Sequence, residues 1–283
     1  MSAPVEFVVL SDTHLVPHGQ QIYGLDPRAR LDAAVAFLNA HHEDAQFCLI
    51  AGDLAHWGEQ AAYENVAAAL EALRIPVVLM MGNHDKRAPF RTVFPDACDD
   101  GNGFVQTSRD LGTATLITLD TLNEDAGTHA GYLCAARLNF LDTALRAAPV
   151  GKPVVLAQHH PTRDLGLPSM DAIKLQNADD EWAVFERVGR KPDLMLHGHV
   201  HRPIFGTWRG IPFHIQRALS HQVAYDSKMV DHIPGSHEAP DLSVVRIADG
   251  DITVHQRSFL YDGPLFNLDD PQAVRGKLES LNK

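Results

Sequence analysis

Six short apolar runs constrain the fold of this chain more than any other feature. They are VEFVVL at 5–10, QFCLIA at 46–51, PVVLMM at 76–81, ATLITL at 114–119, PVVLAQ at 153–158 and DLMLH at 193–197. None alternates strictly between apolar and polar residues, as a half-solvated strand does, so each reads as a strand covered on both faces. Between several of them the period changes. Over 27–41, 59–73 and 135–147 apolar residues recur at spacings of three and four on a background rich in Ala and Leu, and 171–189 reads as a fourth helix. Strand–helix alternation of this kind predicts a layered α/β domain with helices on both faces. After His201 the texture shifts to short β-like pieces at 203–208, 211–215, 242–247 and 252–256, punctuated by Gly and Asp, which read as edge hairpins of the same sandwich. No repeat, low-complexity tract or Pro/Gly/Ser linker interrupts the 283 residues, so one domain over 1–283 is expected.

Composition narrows the functional classes. The longest apolar stretch, VVLMM at 77–81, is far short of the roughly 20 residues a membrane span needs. The N-terminus has no basic segment and carries Glu6 within its apolar run, so it reads as a first strand rather than a signal peptide. Cys48, Cys98 and Cys134 form neither a CxxC pair nor an even disulfide set, which predicts a reducing, cytoplasmic setting. With 24 Lys and Arg against 36 Asp and Glu the net charge is −12, which disfavours stable binding to nucleic acid or to an anionic membrane. The unusual number is 17 histidines, and their placement decides what they mean.

Five of the six strands end in metal-ligand chemistry. The first runs into Ser11-Asp12-Thr13-His14, the second into Gly52-Asp53, the third into Gly82-Asn83-His84-Asp85, the fifth into His159-His160-Pro161 and the sixth into Gly198-His199-Val200-His201. Ligands of open α/β sheets bind outside the carboxyl ends of strands, so these ends could converge on one site. Taken singly, an Asp-x-His or Gly-Asp segment is a turn or a helix cap, and a His-x-His pair is a surface feature. Five in order, each directly after an apolar strand, do not coincide by chance. The donors are Asp, Asn and His with no thiolate, a set suited to Mn, Fe or Zn rather than to a structural zinc knot.

These blocks, DTH, GDxxxxG (52–58), GNHD (82–85), HH (159–160) and GHVH (198–201), resemble the five-part signature of the calcineurin-like metallophosphoesterases. Within that superfamily the chain is most similar to the bacterial class III cyclic nucleotide phosphodiesterases and glycerophosphodiesterases. Tyr23-Gly24, Gly58-Glu59, Leu119-Asp120-Thr121, Gly131-Tyr132-Leu133 and Gly210-Ile211-Pro212 extend the likeness over about residues 5–225, leaving the tail unassigned. The resemblance implies a layered α/β/β/α sandwich and two transition-metal ions. Asp12, His14 and His201 would hold the first ion and Asn83, His159 and His199 the second, with Asp53 bridging. It implies attack of a metal-bridging hydroxide on a small anionic phosphodiester, such as a 3′,5′-cyclic nucleotide or a glycerophosphodiester. Two cations side by side repel, and a shared carboxylate offsets this. His84, beside a ligand but outside the set, would stabilise phosphoryl oxygens or protonate the leaving alkoxide. A homo-oligomer is implied by the same resemblance.

Other histidines are less determined by the sequence. His56, three residues after Asp53, reads equally as a partner of a ligand or as an exposed loop residue, and the Tyr that ligates metal at this place in purple acid phosphatases is missing. His160 and Asp85 are candidates for contacts behind the ligands or with substrate; His129 and His221 are candidate substrate contacts. His18, His41, His42, His232, His237 and His255 read as surface residues, Arg163 as solvated, and Asp96, Asp99 and Asp100 as a solvated turn. Other outcomes stay open: a phosphomonoesterase, a nucleotide or lipid-linked pyrophosphatase, a nuclease, or a scaffold of this fold without catalysis. A nuclease should carry basic patches, a protein phosphatase GNHE in place of GNHD, and a scaffold should lack ligands that are all present here.

Overall fold

The computed structural model describes residues 4–261 and 263–269. It opens with β1 (Val5–Leu10), α1 (Pro27–His41), β2 (Cys48–Ile50), α2 (Gln60–Leu70), β3 (Val77–Leu79) and α3 (Arg87–Val93). Then come β4 (Thr107–Asp110), β5 (Thr115–Leu119), α4 (Ala135–Ala147), β6 (Val154–Gln158), the short α5 (Pro168–Asp171), α6 (Ala178–Val188) and β7 (Leu194–His197). The last part is β: β8 (Ile204–Trp208), β9 (Ile211–Ile215), β10 (Gln222–Val223), β11 (Gly235–Ser236), β12 (Leu242–Ala248) and β13 (Asp251–Arg257).

Two sheets stack face to face. One has the order β13-β12-β1-β2-β3 and the other β4-β5-β6-β7-β9-β8. The strands that carry the motifs, β1, β2 and β3 in one sheet and β6 and β7 in the other, run parallel to their motif-bearing neighbours. The side-chain period of two explains why their sequences are continuously apolar. Phe7, Val9, Leu49, Val78, Val155 and Leu196 point into the layer between the sheets. Their neighbours Val8, Leu10, Cys48, Ile50 and Leu79 pack instead on Leu31, Val35 and Leu38 of α1 and on Tyr63 and Val66 of α2. Ile117, Leu119, Leu156 and Met195 pack on Leu141 and Leu145 of α4 and on Val184 and Phe185 of α6. The result is the expected α/β/β/α sandwich.

The edge hairpins are as expected. β8–β9 closes one edge of the second sheet, and β12 lies antiparallel to β1 with Phe7 opposite Val245. Residues well past 225 thus complete the first sheet. The fourth helix is shorter than its pattern: α6 covers Ala178–Val188, while 172–177 is committed elsewhere. Leu175 N donates to Pro161 O at 3.0 Å and Gln176 N to Gly131 O at 2.9 Å. The Asn177 amide accepts from Leu133 N and donates to Leu133 O. Backbone and side-chain groups engaged with neighbouring loops cannot close helical turns. His42 is the other correction. It is buried rather than a surface residue, with Nδ1 3.4 Å from Glu6 Oε1 and Arg257 Nη1 donating to Nε2 at 2.9 Å, because the β12–β13 hairpin brings Arg257 to it.

Glu181 of α6 is fully buried against the end of β6. Its Oε2 lies 3.5 Å from Gln158 Nε2, and both Glu181 Oε1 and Gln158 Oε1 lack a partner. Burial pushes its carboxyl up to about 8, and a proton there converts a surplus acceptor into a donor. A folded-state pKa raised above the unfolded one means the native chain binds the extra proton, so stability falls as pH rises through that interval. Wild-type Tm is therefore expected to drop as pH rises from about 5 to about 8 and to level off above that. Glu181→Gln should flatten that limb, with a gain at pH 9 on the order of 1.4 kcal/mol per unit of pKa displacement. Parallel Tm curves for the two proteins would refute this.

Candidate metal centre

The motif residues converge where both sets of parallel strands end. Asp12 and His14 follow β1, Asp53 follows β2, Asn83 and His84 follow β3, His159 follows β6, and His199 and His201 follow β7. Backbone bonds lace these loops together: Asp12 N to Gly52 O at 3.0 Å, His14 N to Asp53 O at 2.9 Å, and Gly198 N to His159 O at 3.1 Å. The backbone is strained here. Of the eight non-glycine residues with positive φ among those described, Asp12, His14, Asp53, His199 and His201 are five. Such conformations are costly and persist where surrounding structure enforces them, which is typical of functional sites. Two glycines permit the approach of the loops. A Cβ on Gly82 would lie 2.2 Å from Asp53 Oδ1, and one on Gly198 would lie 2.1 Å from Ser11 Oγ.

The donor atoms form two groups. In one, His14 Nε2 lies 3.0 Å from His201 Nε2 and His201 Nε2 lies 3.2 Å from Asp12 Oδ1. In the other, Asn83 Oδ1 lies 2.7 Å from His199 Nδ1 and 3.3 Å from His159 Nε2. Asp53 Oδ2 belongs to both, 3.5 Å from His14 Nε2 and 3.4 Å from His159 Nε2. Ligands held about 2.0–2.2 Å from a shared ion are about 2.9–3.6 Å apart, and all of these separations but the 2.7 Å between Asn83 and His199 are of that size. Hydrogen bonds on the far ring atoms fix the tautomers. His159 Nδ1 donates to Ala51 O at 2.7 Å and His201 Nδ1 to His221 O at 2.8 Å, so each Nε2 faces carboxylate oxygen, a pairing that needs a proton or a metal ion between the two atoms. In a buried site such a pairing calls for a cation. The donors therefore fit two ions of the Mn, Fe or Zn kind.

The electrostatics agree. Burial disfavours charge on His159, yet the Asp53 and Asp12 carboxylates outweigh it and lift the imidazole to about 9, so without an ion the ring holds a proton where a metal would supply the positive charge. Burial likewise opposes ionisation of Asp53, but His159 and His84 hold its carboxyl well below the usual range. His14 and His199 are driven well down by burial and present neutral rings.

The remaining candidates separate by contact. Asp85 touches no cavity: its carboxylate accepts from Leu54 N, Ala55 N, Gly82 N and Tyr63 Oη, at 2.9–3.2 Å, and so clamps the Asp53 loop to the Asn83 loop. His160 is also fully buried behind the site, between Thr121 Oγ1 at 2.7 Å and His129 O at 3.1 Å. His56 is buried, with Nδ1 3.1 Å from His14 Nδ1, so it can accept the proton that His14 carries when Nε2 is a donor atom. Burial and His84 push it down to about 4, keeping it a neutral acceptor. His129 Nδ1 accepts from Asn83 Nδ2 at 2.8 Å, which turns the Asn83 oxygen toward His159 and His199. His84 stacks between His56 and His129, at centroid distances of 5.1 and 5.0 Å. Arg163 lies outside the cavity, on Thr207 O.

A cavity of about 570 Å³ opens on both donor groups, within the size range of small-molecule sites. Asp53, Asn83, His56, His84, His129, His199, His201 and His221 line it, together with Tyr23, Met170, Ile173, Gln222, Val223, Ile233 and His237. This second group went unread in the sequence as site residues, since none stands in a ligand motif. No Lys or Arg is among the lining residues.

Such a sandwich, with Asp, Asn and His gathered at its strand ends, has the plan of a metallophosphoesterase. The model of the calcineurin-like phosphoesterase family matches residues 5–203, and the chain belongs to that family. It is similar to a probable cyclic nucleotide phosphodiesterase of Rhodopseudomonas palustris, 56% identical and spanning 95% of this chain and 98% of the relative. It is 30% identical to the glycerophosphodiester phosphodiesterase GpdQ of Enterobacter lignolyticus over 76% of this chain and 78% of the relative. In fold it is similar to a purple acid phosphatase of yellow lupin, with a TM-score of 0.66, 15% identity, and coverage of 94% of this chain and 53% of the other. The chain is thus an enzyme of the phosphoester hydrolase class, whose members use a binuclear divalent metal centre. Among the described residues no helix is long and apolar enough to cross a membrane.

Proposed function

We propose that this chain is a binuclear metal-dependent phosphodiesterase acting on small phosphodiesters, 3′,5′-cyclic nucleotides first and glycerophosphodiesters second. The observation that carries this reading is the shared Asp53 oxygen between two donor groups, on a cavity whose wall has no Lys or Arg. Asp12, His14 and His201 would hold one ion, Asn83, His159 and His199 the other, and Asp53 both. Mn, Fe or Zn at these positions would supply Lewis acidity to phosphoryl oxygens and lower the pKa of a water at neutral pH. His84 donates Nδ1–H to His56 O at 2.7 Å, which leaves Nε2 for the ester. When protonated there, it can stabilise a phosphoryl oxygen or pass its proton to the departing alkoxide. A wall without fixed cations suits a monoanionic diester better than a dianionic monoester. The identity of the relative at 56% supports the cyclic nucleotide as the first substrate to test. From the cysteine usage we propose a cytoplasmic setting, and from the family resemblance a homo-oligomer.

Metal reconstitution followed by elemental analysis should find two ions per chain, and chelation should abolish turnover. On a panel of a cyclic nucleotide, a glycerophosphodiester, an aryl diester and the matching aryl monoester, the diesters should give the higher kcat/KM at pH 7. Full activity with one ion per chain, or a win for the monoester, would overturn the reading.

A further inference from the structure

Part of the cavity wall is not needed to hold or break a phosphoester. Met170 on α5 and Ile173 just beyond it supply one stretch of apolar surface. Val223 and Ile233, on and between β10 and β11, supply another, and Ile233 is 47% exposed. Gln222 lies in the same wall and is 1% exposed. Its Nε2 donates to Ala218 O at 2.7 Å, which fixes the amide and settles which of its polar atoms is spent. The other, Oε1, is buried with no partner and has almost no surface open to the cavity, so a ligand's donor reaches it as the side chains around it shift. A buried acceptor without a donor carries a desolvation cost that a ligand's N–H or O–H would remove.

We propose that Gln222, Met170, Ile173 and Ile233 form a nucleoside subsite, in which the apolar wall takes the flat base and Gln222 Oε1 accepts a hydrogen bond from the nucleoside. This deepens the phosphodiesterase reading and rests on it. A nucleoside meets both halves of the wall, since a heterocyclic base has an apolar face and the nucleoside carries donors, in its ribose 2′-hydroxyl or its exocyclic amine. A glycerol ester has hydroxyls but no face to lay on Ile173 and Met170. The cavity volume of about 570 Å³, continuous with Asp53 and His84, accommodates a phosphate and a nucleoside together. Sites that combine an apolar wall with one or two placed polar groups draw affinity from the first and specificity from the second.

The test uses the metal-loaded full chain and its Gln222→Leu and Ile173→Ala variants. Three substrates are compared: adenosine 3′,5′-cyclic monophosphate, its 2′-deoxy analogue and glycerophosphoethanolamine. The readout is the ratio of kcat/KM for the cyclic nucleotide to that for the glycerol ester. Gln222→Leu should lower this ratio about tenfold, mostly through KM, which is the scale of one hydrogen bond. Ile173 is only part-buried, so Ile173→Ala should fold even if Gln222→Leu does not, and should lower the ratio several-fold. If the 2′-hydroxyl is the donor, the 2′-deoxy analogue loses the same factor in the wild type and nothing more in Gln222→Leu. If the amine is the donor, both nucleotides lose it in the variant alone. A ratio within twofold of wild type in both variants would overturn the subsite, as would a wild type that turns over the glycerol ester and spares cyclic nucleotides. A two-metal wild type that hydrolyses none of the three would overturn the diesterase reading itself, and the subsite with it.

Discussion

Replacing His84 with alanine is expected to lower kcat about 10²–10³-fold on an alkyl phosphodiester while both metal ions stay bound. The size follows from removing one preorganised donor aimed at charge that develops in the transition state, or from losing a general acid, which costs a similar factor. Metal retention follows from the contacts. His84 reaches the donor groups through its backbone, whose N–H bonds Asp53 Oδ1 at 2.8 Å, and alanine keeps that bond. The imidazole is held by His56 O and by the rings on either side of it, so its loss opens space in the cavity without unpairing a metal donor. The leaving group separates the two roles. An aryl oxide departs with little protonation and an alkoxide needs it, so a general acid predicts a much smaller defect on the aryl diester. Equal defects on both would assign His84 to the phosphoryl oxygen, and loss of metal from the variant would remove it from either role.

The sheets were legible because strands buried on both faces are written as unbroken apolar runs, and the Asp, Asn and His cluster we propose as metal donors because its residues follow those strands. What escaped the sequence did so for identifiable reasons. Helix α3, with Pro89 in its first turn and Phe90 as its one buried residue, has too little period to be seen. Strand β4, TSRD, is a half-exposed edge strand and reads as a polar turn. The pattern over 171–189 overran because Leu175 keeps a helical spacing with Ala178, Trp182 and Phe185, although its loop bonds to Gly131 and Pro161 instead.

In the site the division is the same. Asp12, His14, Asp53 and Asn83 sit in short motifs whose chemistry is local. The role of His56 depended on which ring it meets, and the structure puts it on His14. The apolar wall could not be read, because Met170 and Ile233 look like any core or surface residue until packing brings distant segments to one cavity. Gln222 is the clearest case. What marks it is an acceptor left unpaired by the rest of the fold, and that signal exists only in three dimensions.

Asp53→Asn is expected to reduce metal content from two ions per chain to one at most and to cut kcat/KM by about 10³ or more. The charge and the geometry both require it. Asp53 Oδ2 is the oxygen within 3.5 Å of a histidine donor in each group, whereas Oδ1 is occupied by the His84 N–H. An asparagine that keeps the His84 bond must place its NH2 where Oδ2 stands, and an amide nitrogen directed at two cations cannot coordinate them. A flipped asparagine returns an oxygen to the centre but sets its NH2 against the His84 N–H and carries no charge to offset the repulsion between two cations. Losing one ion forfeits several kcal/mol of transition-state stabilisation, and about 4 kcal/mol is a factor of about 10³. The fold should survive, since Asp85 rather than Asp53 ties the 53–55 loop to the Gly82 backbone. Elemental analysis, kcat/KM and Tm on one preparation test the three parts together. A variant that holds two ions and works within tenfold of wild type would show that the ions do not share Asp53, and the bridging assignment would fall.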